Sequence, residues 1–174
     1  METNRSLERL ARPLLFVLTL AVALGVNCAK IDAQEALFLV QYPDLNKKLD
    51  GTGLDKEGKK KAESLARMLL DADIDVIYSF ERPYVVQTAE PTAKALNMKV
   101  NILPFQVEAM ADLVRRLPTQ HAKNRVLVAT GPPSMSFILN RLGLGEEVTK
   151  ARSDNLYVIL RQEGAKPLVI KMRW

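Results

Sequence analysis

The chain has 174 residues, 48% of them hydrophobic and 26% charged, which suits one globular domain and excludes a disordered tail or a coiled coil. A single Cys excludes an intramolecular disulfide framework and a cysteine-rich zinc site, and a single His excludes any mechanism that needs two imidazoles. The formal net charge of +5 is mixed along the chain, so no nucleic-acid partner is expected.

Arg5, Arg9 and Arg12 precede an apolar run from Pro13 to Val26 in which Thr19 is the one polar residue. Crossing a bilayer takes ~20 apolar residues, so this run is short for a span. A basic start, a short apolar run and small residues near Ala23-Leu24-Gly25 and Val26-Asn27-Cys28 read as a secretory signal. Residues 1–28 are therefore expected to be a signal peptide or N-terminal anchor, and 29–174 one domain. Export to the periplasm or beyond is the expected destination, with membrane contact only through the N-terminal segment. Cys28 stands where a lipoprotein would be acylated, but Asn27 before it is a poor fit to that signal.

Glu35–Val40 is an apolar run that predicts a strand buried on both faces. The stretch from Pro43 to Gly53 is rich in turn residues. Ala62, Leu65, Ala66 and Leu69 carry helical spacing through residues 55–72. Asp75–Ser79 predicts a second strand. Val85, Val86, Ala89, Ala93 and Leu96 predict a helix over 83–96, with Pro91 expected to kink it or mark a boundary. Lys99–Leu103 predicts a third strand. A third helix is expected over 106–117, with Val107, Met110, Ala111, Val114 and Leu117 inward. Arg125–Thr130 predicts a fourth strand and 133–142 a fourth helix. Leu156–Leu160 and Leu168–Met172 should close the chain as a hairpin around Gly164. Strand and helix alternating with short links predict an α/β three-layer sandwich, with a mostly parallel central sheet and helices on both faces.

Ligands of such sheets bind at the carboxyl ends of the strands. That rule selects three loops: Gln41-Tyr42-Pro43-Asp44, Ser79-Phe80-Glu81-Arg82 and Thr130-Gly131-Pro132-Pro133. They are expected to converge on one crevice.

Three segments in order carry a family resemblance. Leu54-Asp-Lys-Glu-Gly-Lys-Lys-Lys-Ala-Glu-Ser-Leu-Ala66 is similar to the helix start "L-T-x-x-G-x-x-q-A-x-x-L-A" of the histidine phosphatase superfamily, the phosphoglycerate-mutase-like fold. Ser79, with Gln87-Thr-Ala-Glu-Pro91 following, resembles that family's "S-x-x-x-R-x-x-Q-T-A-x-P". Arg125-Val-Leu-Val-Ala-Thr-Gly131 stands where the family has the strand leading into "G-H-S". The resemblance covers roughly residues 35–174 and is nearest to short exported members.

The resemblance also implies a chemistry that these residues do not supply. Such enzymes place Arg-His after the first strand, where this chain has Gln41 and Tyr42. The arginine before the Gln-Thr-Ala helix corresponds to Tyr84, and the second histidine to Pro132. Neither Gln nor Tyr offers the planar fork of donors with which Arg holds a phosphate dianion. Pro132 and Pro133 remove two backbone donors from a helix start that could otherwise bind an anion. A phenol with a pKa near ~10 is a weak nucleophile without a base beside it.

The remaining residues each have a plain reading. His121 lies before the fourth strand and reads as a surface loop histidine at the far end from the crevice. Arg82 could swing toward the crevice, and otherwise faces solvent. Asp44, Arg82, Glu108 and Ser134 are the possible ligand-binding residues; Asp44 reads first as a loop carboxylate, and Glu108 stands near where the resemblance implies an acidic proton donor. The Lys59-Lys60-Lys61 run reads as a solvated helix face. The three readings in competition are a catalytically inactive member acting as a binding or interaction module, a residual or altered phosphomonoester hydrolase, and an unrelated doubly wound binding protein. No catalytic residue, metal or cofactor is assigned. A phosphorylated small molecule or a protein is the expected kind of partner.

Overall fold

The structure is a computed structural model, and it describes residues 35–43, 53–145, 155–161 and 166–174. The expected signal segment, Asp44, Cys28 and the turn at Gly164 lie outside those residues. Among the described residues no helix is long and apolar enough to cross a membrane.

Six strands and four helices follow in order: β1 Glu35–Gln41, α1 Lys56–Met68, β2 Val76–Phe80, α2 Pro83–Ala95, β3 Val100–Leu103, α3 Val107–Arg116, β4 Arg125–Thr130, α4 Pro132–Arg141, β5 Asn155–Arg161 and β6 Leu168–Arg173. The strands form one sheet in the order β3-β2-β4-β1-β5-β6. β1 pairs in parallel with β4, β4 with β2, and β2 with β3. β5 is antiparallel to both its neighbours, so β5 and β6 form the expected C-terminal pair.

The central strands are buried on both faces, as the unbroken apolar run of β1 requires. Ala36, Phe38 and Val40 face one core layer, shared with Leu65 of α1, Leu69 just after it, and Val85 and Ala89 of α2. Leu37 and Leu39 face the other, shared with Met110 and Leu113 of α3 and Met135 and Ile138 of α4. This is the predicted three-layer sandwich.

Three details differ from the sequence expectation. Pro91 does not end α2, which runs through it to Ala95. Val107 is exposed, because it opens the first turn of α3; the inward face begins at Met110 and includes Leu113. His121 is buried, because Tyr78 and Asn124 enclose its ring.

Candidate functional site

The segments that carry the family resemblance have local jobs. Asp55 caps α1, its Oδ1 accepting the Gly58 N–H at 2.7 Å. A Cβ at Gly58 would stand 3.2 Å from Leu54 Cβ and Cδ2, so a larger residue would need Leu54 to shift by a few tenths of an ångström. Leu54 N–H donates to Gln87 Oε1 at 2.7 Å, tying the start of α1 to α2. Gly53 has a φ of +123° and lies against that same Gln87 amide, where a Cβ would come within 2.3 Å of Oε1. Thr88 is fully buried, and its hydroxyl donates to the Tyr84 carbonyl at 2.8 Å. The Leu-Asp-x-x-Gly and Gln-Thr-Ala signatures are thus scaffold features that fix the loops around the crevice.

At the carboxyl ends of the strands, the chain after β1 meets the chain after β4 and the start of α2. Tyr42 N–H donates to the Thr130 carbonyl at 3.1 Å. The Tyr42 ring contacts Tyr84 edge to face, with centroids 4.5 Å apart. Gly131 lies on the other side of Tyr42, so close that a Cβ there would come within 3.1 Å of Cε1. Tyr42, Tyr84 and Gly131 therefore converge as expected, with Pro132 exposed as the first residue of α4.

Alternation along β1 sends Gln41 to the opposite face from Tyr42. Gln41 is 5% exposed, and its Oε1 has no hydrogen-bond partner among the described residues. It sits beside Thr130 in the β1–β4 register, and the next rung of the β1–β5 register sets Asn155 on its other side. Asn155 is buried and donates to the Tyr157 hydroxyl at 3.2 Å. Asn155 escaped the sequence reading; its signal was a lone amide opening an apolar run at the amino end of an antiparallel strand.

Ser134 is also buried. Its Oγ accepts from the Gly131 N–H at 3.2 Å and from the Thr130 hydroxyl. The start of α4 offers an anion fewer donors than most: Pro132 and Pro133 have no N–H, and the Gly131 N–H is spent on Ser134. Ser134 thus caps the start of α4.

Two candidates lie apart. Arg82 is exposed and places its guanidinium over the Phe105 ring, 4.6 Å from the centroid, rather than beside Tyr84. Glu108 is exposed in the first turn of α3. The one imidazole is elsewhere too. His121 Nε2 lies 3.0 Å from the Tyr78 hydroxyl, and Nδ1 lies 3.2 Å from Asn124 Oδ1, in the segment that leads into the amino end of β4. Among the described residues no group of three His, Cys, Asp or Glu side chains could hold a metal.

Comparison with solved structures fits this architecture. The chain has the histidine phosphatase fold. A mycobacterial glucosyl-3-phosphoglycerate phosphatase aligns over 81% of this chain and 98% of its own, with a TM-score of 0.63 and 10% identity. The phosphoserine phosphatase of Entamoeba histolytica covers 78% of this chain and 94% of its own, at TM-score 0.59 and 12% identity. The alpha-ribazole phosphatase of Shigella flexneri covers 74% and 91%, at TM-score 0.59 and 14% identity. No protein-family model and no curated protein matches the sequence. The likeness is one of backbone architecture, at identities of 10–14%.

Proposed function

We propose that this chain is a histidine phosphatase relative that has lost phosphoryl transfer and serves as a binding or interaction module, exported by its N-terminal segment. The observation that carries the reading is the Tyr42–Tyr84 ring pair, which occupies the two positions where the resemblance expects a nucleophilic histidine and a phosphate-holding arginine. Three further features support it. The sole imidazole is engaged with Tyr78 and Asn124, away from the crevice. The nearby Arg82 rests on Phe105. The α4 start has two prolines without N–H, and its Gly131 N–H is spent on Ser134.

Phosphoryl transfer to an imidazole needs both a nucleophile and cationic donors for the developing charge. Gln41, Tyr42, Tyr84 and Pro132 stand where the resemblance expects the guanidinium and imidazole groups. The phosphatase names of the similar structures give the ligand class to try first, a phosphorylated small molecule. The test is turnover of an aryl phosphate by the full chain, run beside Tyr42→Phe. The reading predicts release no faster than the blank for both. Turnover abolished by Tyr42→Phe would establish an altered hydrolase instead. Amino-terminal sequencing of the protein recovered from its host tests export: a start near residue 29 is expected, and an intact Met1 on cytosolic protein contradicts it.

A further inference from the structure

The sheet ends at β3, and the space beside that edge differs in character from the crevice. A groove of about 1300 Å³ runs between the outer faces of α1 and α2 and the β3 edge. Its apolar floor includes Ala93, Met98, Val100 and Ile102, and Ile102 is 54% exposed. Lys59, Arg67, Lys94 and Lys99 line it, against Glu63 and Glu90. Among the described residues, none of these four cations has a carboxylate within ion-pairing distance.

α1 and α2 each follow a strand of the parallel set, so they run the same way along the sheet. Arg67 in the last turn of α1, Lys94 in the last turn of α2, and Lys99 just before β3 therefore gather at one end of the groove. A helix C-terminus repels anions, so these side chains must supply the attraction themselves.

The backbone of the edge is available as well. The Glu81 N–H donates to the Leu103 carbonyl at 2.8 Å, so Leu103 turns its backbone toward β2. In a parallel ladder alternate residues turn both groups to the same side. Ile102 therefore turns its N–H and C=O away from β2, and no strand among the described residues lies beyond it. Val100 and Ile102 share a face with the α2 layer, so a strand added here would lay alternate side chains over the groove. An exposed apolar edge invites pairing with another chain, and this one carries no proline or inward charge to prevent it.

We infer that the β3 edge and the adjoining basic groove bind an extended acidic peptide segment of a partner protein, added as a seventh strand beside Ile102 with its carboxylates toward Arg67, Lys94 and Lys99. The main chain would supply pairing and the groove would supply preference for sign. The site is independent of the crevice and does not depend on the loss of catalysis.

The test uses two eight-residue peptides on the full chain, one alternating Val with Glu and one alternating Val with Lys. Binding is read by fluorescence anisotropy and by amide exchange over 100–103. The Val/Glu peptide should bind about tenfold more tightly than the Val/Lys peptide, since several exposed pairs add modestly. It should protect the Ile102 amide and weaken as salt rises. Lys94→Glu combined with Lys99→Glu should reverse the preference between the peptides. Ile102→Pro should abolish binding while circular dichroism stays unchanged, because the N–H it removes makes no native ladder bond. Equal affinity for the two peptides, or no protection at Ile102, overturns the proposal. So does a dimer in sedimentation velocity that Ile102→Pro dissociates, since the edge would then be taken by a second copy of this chain.

Discussion

The rings of Tyr42 and Tyr84 meet edge to face, with centroids 4.5 Å apart and planes inclined at 61°. Neighbouring backbone holds both in place: Tyr42 N–H is bonded to Thr130, and the Tyr84 carbonyl accepts from buried Thr88. The pair closes the junction between β1, α2 and β4 with apolar surface. Truncating either ring removes that packing, so Tyr84→Ala should cost about 1–3 kcal/mol of stability. Urea unfolding of the two proteins checks the figure. An unchanged midpoint would mean that the rings fill space without holding it.

Gly131 has ordinary extended backbone, so its small size matters for a different reason than conformational freedom. A Cβ there would stand 3.1 Å from Tyr42 Cε1. Tyr42 cannot retreat easily, because Tyr84 lies against its ring. Gly131→Ala should therefore destabilise by about 1–3 kcal/mol, as overpacking does. Combining it with Tyr42→Ala should remove most of that penalty, which a double-mutant cycle in urea measures.

The two signature segments are predicted to be stability determinants. Asp55→Ala leaves the Gly58 N–H uncapped and should cost about 1 kcal/mol. Gln87→Ala leaves the Leu54 N–H without its acceptor and should cost about 1–3 kcal/mol. Because Gln87 also packs at Gly53, its loss should raise proteolysis near residue 53 more than Asp55→Ala does. Limited proteolysis of the two variants, compared at equal stability, checks that ordering.

His121 joins Tyr78 to Asn124, and Arg116 donates to the same Tyr78 hydroxyl at 3.4 Å. His121→Ala should cost about 2 kcal/mol, since it opens space at a buried ring and strips one partner from the hydroxyl. A thermal melt measures the loss. Activity toward any ligand of the crevice should not change, because the ring takes no part there.

Much of this was legible in the sequence. The six strands and four helices lie within a few residues of their expected bounds, because each carries the period that burial demands: continuous apolar runs for β1 and β4, and helical spacing at Ala62, Leu65, Ala66 and Leu69. Pro91 marks no boundary, because its missing N–H costs one bond in a helix that is otherwise held by Val85, Ala89 and Ala93 in the core. The meeting of Tyr42 with Gly131 followed from strand direction, and Tyr84 entered through the family resemblance. The partners of His121 did not, since they arrive from Tyr78, 43 positions earlier in the chain. The place of Asn155 beside Gln41 and the basic groove along β3 likewise depend on register and on which strand forms the edge, whereas the Ser134 cap is a local contact three residues from Gly131.

Covalent capture of a phosphoryl group would show directly in the mass of the protein after exposure to a phosphoryl donor. The full chain is mixed with excess aryl phosphate, quenched rapidly and measured by intact mass spectrometry. A spectrum containing only the unmodified chain is the predicted result. A phosphoryl adduct that disappears in Tyr42→Phe, or one mapping to His121, would contradict it.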